Sequence, residues 1–361
     1  MVSAQLHLGV AIDAAGHHPA AWRVSAAEPA ALFTAGHYLA QARLAEAASL
    51  DFVTLDDTLA LQPGGVDVVR GRLDALLTLS AIAPVTSGIG LIPTVTTTHT
   101  EPFHVSTSVA TLDYASHGRA GVLAVPSRGD AEAAHFGRRP APADEDAEAE
   151  NAEVVGVIAR LWDSWEDGAI IRDAATGRFI DRDRLHYVDF EGRYFSVKGP
   201  SITPRPPQGH PVTVVYGDSP HAVAADVVLT RANDLEGVRA AVARFPGAKV
   251  LATVAITLAE TEQAAWDRQR ALDALIPFEP EGLAFVGSPA QLAAELPKWA
   301  AETGVAGFHV RPAVLPDDLE LFTGEVVPAL RAAGAFRGGY AGATLREHLG
   351  LGAVANQYQG V

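Results

Sequence analysis

Short apolar runs recur along the chain, each followed by a polar cluster and then by a segment with helical spacing. The runs are Leu6–Ile12, Phe52–Leu55, Ile89–Val95, Ala120–Val125, Val212–Tyr216, Asp226–Thr230, Val250–Leu258 and Val305–Val310. Most lack apolar–polar alternation and are rich in β-branched residues, which predicts strands buried on both faces. The intervening segments predict helices. Tyr38–Ser49 carries Ala40, Leu44, Ala47 and Ala48 on one face, and Gly71–Ile82 leads into the third run. Glu101-Pro102 opens a helix with Val105, Val109 and Leu112 on one face, and His117-Gly118 closes it. Leu235–Phe245, Glu260–Ile276 (with Thr261 as a possible cap), Pro289–Glu302 and Leu319–Ala333 complete the set. Strand, helix and strand in so few residues favour a parallel pair. Eight such runs alternating with helices predict one (β/α)8 TIM barrel over residues 1–361, with no linker that divides the chain.

The rhythm breaks once. Residues 128–211 separate the fourth run from the fifth, far more than an ordinary strand-to-helix loop of roughly 2–6 residues. The insertion holds an acidic stretch (Asp144–Glu150), a helix from about Asn151 to Trp165, and two extended runs, Ile170–Arg172 and Tyr194–Val197. A long excursion at the catalytic face of a barrel is expected to cover a site, so this region is read as a lid.

Composition narrows the class. Hydrophobic residues are 48% of the 361 and charged ones 19%, enough for a large core. Lys and Arg number 27 against 43 acids, a net charge of −16, which disfavours nucleic acid or an anionic membrane as the main partner. There is no cysteine, hence no disulfide, thiolate nucleophile or Cys-bound metal. The start MVSAQLHLGV lacks the features of a signal peptide, and no apolar run reaches the ~20 residues of a membrane span, so a cytoplasmic protein is expected.

The chemistry-bearing residues collect after the strands, where parallel-sheet proteins keep their sites. Asp56-Asp57 ends the second strand; acids there are often only turn formers or caps. Thr94, Thr96, Thr97 and Thr98 crowd the end of the third, either as β-formers or as a hydroxyl patch. His17, His18, Trp22 and Arg23 lie in the loop after the first strand, where they would suit an anionic or aromatic substrate as well as plain loop structure. Adjacent histidines diverge and no carboxylate follows at helical spacing, so no metal site is expected. Gly217-Asp218-Ser219 follows the fifth strand. No strand–GxGxxG–helix or P-loop is present, so a nicotinamide site is not expected.

The run TVTTTHTEPFHVSTSVATLDYASHGRAG (94–121) resembles the bacterial luciferase-like, flavin-dependent monooxygenases, on the branch of nitrilotriacetate and dibenzothiophene-sulfone monooxygenases. Collinear matches are GHHPAAWR (16–23), LWDSWED (161–167), YFSVKGP (194–200), PRPPQGHPV (204–212) and VVPALRAAGAFRGGYAGATLREHLGL (326–351). The resemblance implies a barrel that uses reduced FMN from a separate reductase and O2 to oxidise a small organic substrate, commonly as a homodimer. It implies that Asp57 lies near the flavin ring, that one of Thr94, Thr96 and Thr97 bonds the flavin, and that Ser219 contacts the phosphate. His17, His18 and Arg23 become the candidate catalytic and substrate residues.

Part of the family's pattern is rewritten. Its His and Tyr, four residues apart ahead of LWDSW, align with Asp144 and Glu148; its Trp-Asn after GRAG is Val122-Leu123; and Pro126 stands where a Thr is expected. Asp218 puts a carboxylate beside the expected phosphate. Arg138 and Arg139 are the expected replacements for the lost positive character, with a solvated surface pair as the alternative. These departures keep two other readings open: a deazaflavin-dependent oxidoreductase on the same barrel, and a catalytically silent flavin-binding or partner subunit.

Overall fold

The computed structural model describes residues 5–65, 67–219 and 225–359. Eight parallel strands close into a ring: His7–Ala11, Phe52–Leu55, Gly90–Thr96, Gly121–Val125, Val212–Tyr216, Val227–Thr230, Lys249–Leu258 and Gly307–Pro312. Each pairs with the next along the chain, and the eighth returns to the first, with Leu8 opposite Phe308 and Val10 opposite Val310. This is the (β/α)8 barrel that the alternation of strand and helix predicts.

The two-residue period of the strands sorts side chains between the inside of the ring and its helical jacket. Phe308 and Val310 face outward and join the core under the helices, with Leu292, Leu296 and Leu319. Phe52, Ile92, Leu123, Val214, Leu229 and Leu251 form a separate interior cluster. Leu345 and Leu349 complete it, both fully buried although they come from the segment after the last barrel helix. That segment plugs the amino-terminal mouth: the Leu345 N–H donates to the Gly118 carbonyl (2.9 Å), and Arg346 grips Asp226 with two bonds of 3.0 Å. Each buried leucine contributes about 1.5–3 kcal/mol. Two residues further along the same strands stand Thr54, Thr94, Tyr216 and His309, and two more bring Asp56 and Arg311. The barrel interior therefore passes from apolar at its floor to polar and charged at its carboxyl end.

The helix after the third strand spans Pro102–Ser116 and ends on left-handed His117 and Gly118, as the sequence predicts. Other elements differ from the expectation. The helix expected from Gly71 starts at Ala75, because the Asp74 carboxylate accepts from the Leu77 N–H (2.8 Å) and caps it there. The acidic stretch from Asp144 is the opening of a helix that runs to Asp163, since acids suit the positive end of a helix. A further strand, Leu283–Gly287, lies outside the ring along the seventh strand. Lys249–Ala252 of the seventh strand pair with the sixth, and Val254–Leu258 pair with this extra strand. The last barrel helix, from Asp317 to Ala332, contains a π-helical turn at Phe322–Val326.

The helix Asp144–Asp163 anchors the insertion. Val154, Ile158 and Trp162 pack on Val105 and Val109, and the Trp162 indole donates to the Ser106 carbonyl (3.0 Å). Two small antiparallel hairpins follow, Ile170–Asp173 with Arg178–Ile180 and Phe190–Glu191 with Ser196–Val197. Among the described residues, no helix is long and apolar enough to cross a membrane.

Candidate active site

A cavity of about 520 Å³ opens at the carboxyl end of the barrel. Its wall combines the polar upper tier of the strands with the loop after the first strand and the start of the insertion helix. Asp13, Asp56, Thr94, Tyr216 and Arg311 line its floor and sides.

Arg311 organises the floor. Its Nη2 donates to Asp56 (2.6 Å) and to Asp13 (3.3 Å), so one guanidinium holds two carboxylates. Asp13 also accepts from the Asp56 backbone N–H (2.7 Å), and the Thr94 hydroxyl reaches Asp56 at 3.5 Å. Burial and then the neighbouring Asp56 push the Asp13 carboxyl up to about 7, against the pull of Arg311. Burial works in the same direction on Asp56, but Arg311, His309 and His17 overcome it and hold that carboxyl below its usual range. Burial disfavours the Arg311 charge, yet Asp56 and Asp13 more than restore it. One positive charge thus balances a firmly ionised Asp56, while Asp13 gives up its proton only around pH 7.

The loop after the first strand is fixed by Gly16. Its φ is +130°, and a Cβ there would sit 2.3 Å from the Ala313 carbonyl oxygen. This close approach lets the His17 N–H donate to the Pro312 carbonyl (2.8 Å) and the His18 N–H to the Ala313 carbonyl (3.1 Å). Both histidines then line the cavity, each edge-on to Phe278. Their chemistry differs. His17 is held neutral, its imidazole pushed down to about 3 by burial and then by Arg311, and its Nε2 has no partner among the described residues. His18 is fully used: Nδ1 accepts from the Ala20 N–H (3.1 Å), so Nε2 is the donor to Asp273 (3.2 Å). Trp22 lines the cavity, with its indole N–H on the Asp67 carbonyl (2.9 Å). Arg23 is exposed and lies over the outer face of Trp22 rather than in the cavity.

Asp57 also lines the cavity, but its two oxygens accept from the Thr58 N–H (2.8 Å) and the Ala75 N–H (2.9 Å). Burial raises its carboxyl, and these two bonds only partly offset that. Of the threonines, Thr94 faces the cavity. Thr97 is buried and donates to Asn151 of the insertion helix (2.8 Å), and Thr96 is buried outside the cavity wall.

The far end of the cavity is built by Arg128, Glu148, Asp218, Ser219 and Arg231. Glu148 is buried and accepts from the Ser219 hydroxyl (2.6 Å) and from the Arg128 guanidinium. Arg231 lies over the Tyr216 ring (4.2 Å) and pairs with Asp218 and Glu281. Arg138 and Arg139 point elsewhere. Arg138 is exposed, 3.6 Å from Glu101, and Arg139 pairs with Glu150 (2.7 Å) and bonds the Thr98 carbonyl. The positive charge at this end comes from Arg128 and Arg231 instead.

Sequence reasoning missed Asp13, His309 and Arg311. His309 is buried, neutral and bonded to the Thr54 hydroxyl (2.9 Å) beneath the charged tier. The signal was present: His309 and Arg311 are two apart, hence on one face of the eighth strand, and Thr54 and Asp56 repeat the pattern on the second. Among the described residues, no group of His, Asp and Glu could hold a metal ion.

Comparison with known proteins bears on this geometry. The profile of the luciferase-like monooxygenases matches residues 14–315. The chain is 31% identical to N-acetyl-S-(2-succino)cysteine monooxygenase of Bacillus subtilis (strain 168), over 98% of each chain. It is also 31% identical to nitrilotriacetate monooxygenase component A of Aminobacter aminovorans, again over 98% of each. The solved structure of an EDTA monooxygenase from Chelativorans sp. BNC1 superimposes with a TM-score of 0.86 at 24% identity, covering 97% of this chain and 99% of that one.

Proposed function

Because the chain belongs to the luciferase-like monooxygenase family, we propose that it is a two-component monooxygenase: it takes reduced flavin from a separate reductase and uses O2 to oxidise a small organic substrate. The observation that carries this reading is the carboxyl-end cavity with buried, unpartnered nitrogens in its wall. His17 Nε2 and Arg311 Nε have no partner among the described residues, and both residues line the space. Buried polar atoms without partners are costly and mark where a ligand completes the bonding. The nitrilotriacetate relative is a component A, which is consistent with a separate reductase.

The cavity fits the two ends of a flavin mononucleotide unequally. A size of about 520 Å³ and a wall of Trp22, Tyr216, Val125 and Leu55 suit a planar, largely apolar ring, with His17, Arg311 and Thr94 to bond its polar edge. The far end does not suit the phosphate, because Glu148 and Asp218 already engage Arg128 and Arg231, the two arginines that line it among the described residues. Bound reduced flavin would supply the electrons that activate oxygen. The protein's share is to seat the ring, exclude water and place the substrate against it, with His17 neutral and Asp56 ionised.

The test is anaerobic titration of the purified chain with reduced and with oxidised flavin, using riboflavin as well as FMN. Reduced flavin should bind in at least one of the two forms, and more tightly than its oxidised counterpart. Failure of both flavins in both redox states would overturn this reading.

A further inference from the structure

This inference rests on the flavin reading and concerns which flavin the cavity takes. Glu148 projects from the helix Asp144–Asp163 to the point where the loops after the fourth and fifth strands meet. Its Oε2 accepts from the Ser219 hydroxyl at 2.6 Å, and its Oε1 accepts from the Arg128 guanidinium. A hydroxyl and a guanidinium converging on a pair of anionic oxygens is the donor set that binds a phosphate monoester. Here the oxygens belong to the chain itself. Arg128 is held further by Asp144 at 3.6 Å, and Arg231 is shared between Asp218 and Glu281. Arg128 and Arg231, the guanidiniums that line this end among the described residues, are thus matched by carboxylates before any ligand arrives.

A dianionic phosphate brings only acceptors. Beside Glu148 it has no donor to offer and meets a like charge, or it must expel the carboxylate from its two bonds. A primary alcohol faces no such conflict, because its O–H donates to Glu148. We infer that Glu148 is a specificity-determining residue: it occupies the anion seat of the cavity and so selects a flavin that ends in a free ribityl hydroxyl over the phosphorylated mononucleotide. Discrimination here comes from a repulsive element built against the competitor as much as from attraction to the ligand.

The experiment measures dissociation constants of riboflavin and FMN, reduced and oxidised, for the wild-type chain and for Glu148→Gln. In the wild type, riboflavin should bind about tenfold or more tightly than FMN, the scale expected when a buried polar match is lost. Glu148→Gln keeps the size and one acceptor oxygen, removes the charge and turns the other oxygen into an N–H2 donor that a phosphate can use, so FMN binding should strengthen about tenfold while riboflavin changes little. Equal or tighter binding of FMN by the wild type overturns the inference, and so does a Glu148→Gln chain that binds FMN more weakly. If the variant unfolds, the wild-type comparison of the two flavins decides alone. If neither flavin binds, the flavin reading itself falls and this inference with it.

Discussion

Replacing Arg311 with methionine removes the one cation that serves both Asp13 and Asp56 while keeping most of the side-chain volume. Breaking a buried pair by deleting one partner costs about 3–5 kcal/mol, because the remaining charge is left uncompensated. With an unfolding entropy of about 2.1 cal/mol/K per residue, the slope for a chain of this size is roughly 1.3 °C per kcal/mol, and the melting temperature should fall by roughly 4–7 °C near pH 8. The loss should shrink in acid. In the wild type Arg311 is the main influence that keeps the Asp56 carboxyl low, so Asp56 stays ionised. Without it, burial raises Asp56, and the folded variant holds a proton that the unfolded chain, with carboxyls near 3.8, has already lost. A folded state that binds more protons than the unfolded one loses stability as pH rises. The deficit relative to wild type should therefore close by roughly 1.4 kcal/mol for each pH unit over which the variant holds one extra proton. Denaturant unfolding of both chains at pH 5.5 and pH 8.0 measures this. An equal deficit at the two pH values, or a larger one at 5.5, would refute the idea that Arg311 is what keeps Asp56 ionised.

Three further outcomes are expected. Asp13 has a folded value of about 7 against an ordinary 3.8, so its contribution to stability is lost as pH rises toward 7; Asp13→Asn should flatten the stability–pH curve between pH 5 and 8, and an unchanged curve would show that Asp13 does not titrate there. Leu345→Ala should cost about 2–5 kcal/mol in urea unfolding, since it empties the barrel floor, and a loss below about 1 kcal/mol would place the residue outside the interior core. Asp57→Ala should lower stability by about 1 kcal/mol through its two backbone N–H bonds and weaken reduced-flavin binding; unchanged binding would leave Asp57 a purely structural group.

All eight barrel strands were legible because strands buried on both faces are written as apolar runs, and Val212–Tyr216 needs no context to be read. Leu283–Gly287 was not, because it is short and only half buried, with no regular alternation. The helix expected from about Asn151 starts seven residues earlier, at Asp144, because the acidic stretch ahead of it suits a helix start. The candidate site was legible by location more than by residue. His17, His18, Asp57, Thr94 and Ser219 were placed at strand ends by counting along the chain, and the cavity gathers them. Arg311 was hidden one residue beyond the assigned end of an apolar strand, where a charge is normally taken to mean solvent. The choice of Arg138 and Arg139 over Arg128 and Arg231 shows the same limit: proximity in sequence says nothing about which guanidinium a lone carboxylate will claim in space.

The floor of the barrel is filled by residues that follow the eighth strand in the chain. During synthesis all eight strands leave the ribosome before Leu345 and Leu349 do. Until those two arrive, the ring holds an open, wettable shaft, and Gly118, Asp226 and the start of the third strand lack their partners. Completion of the dry interior is therefore a late event in the life of the nascent chain, and a terminal truncation that spares every strand would still release an unfinished barrel to the cell's quality control.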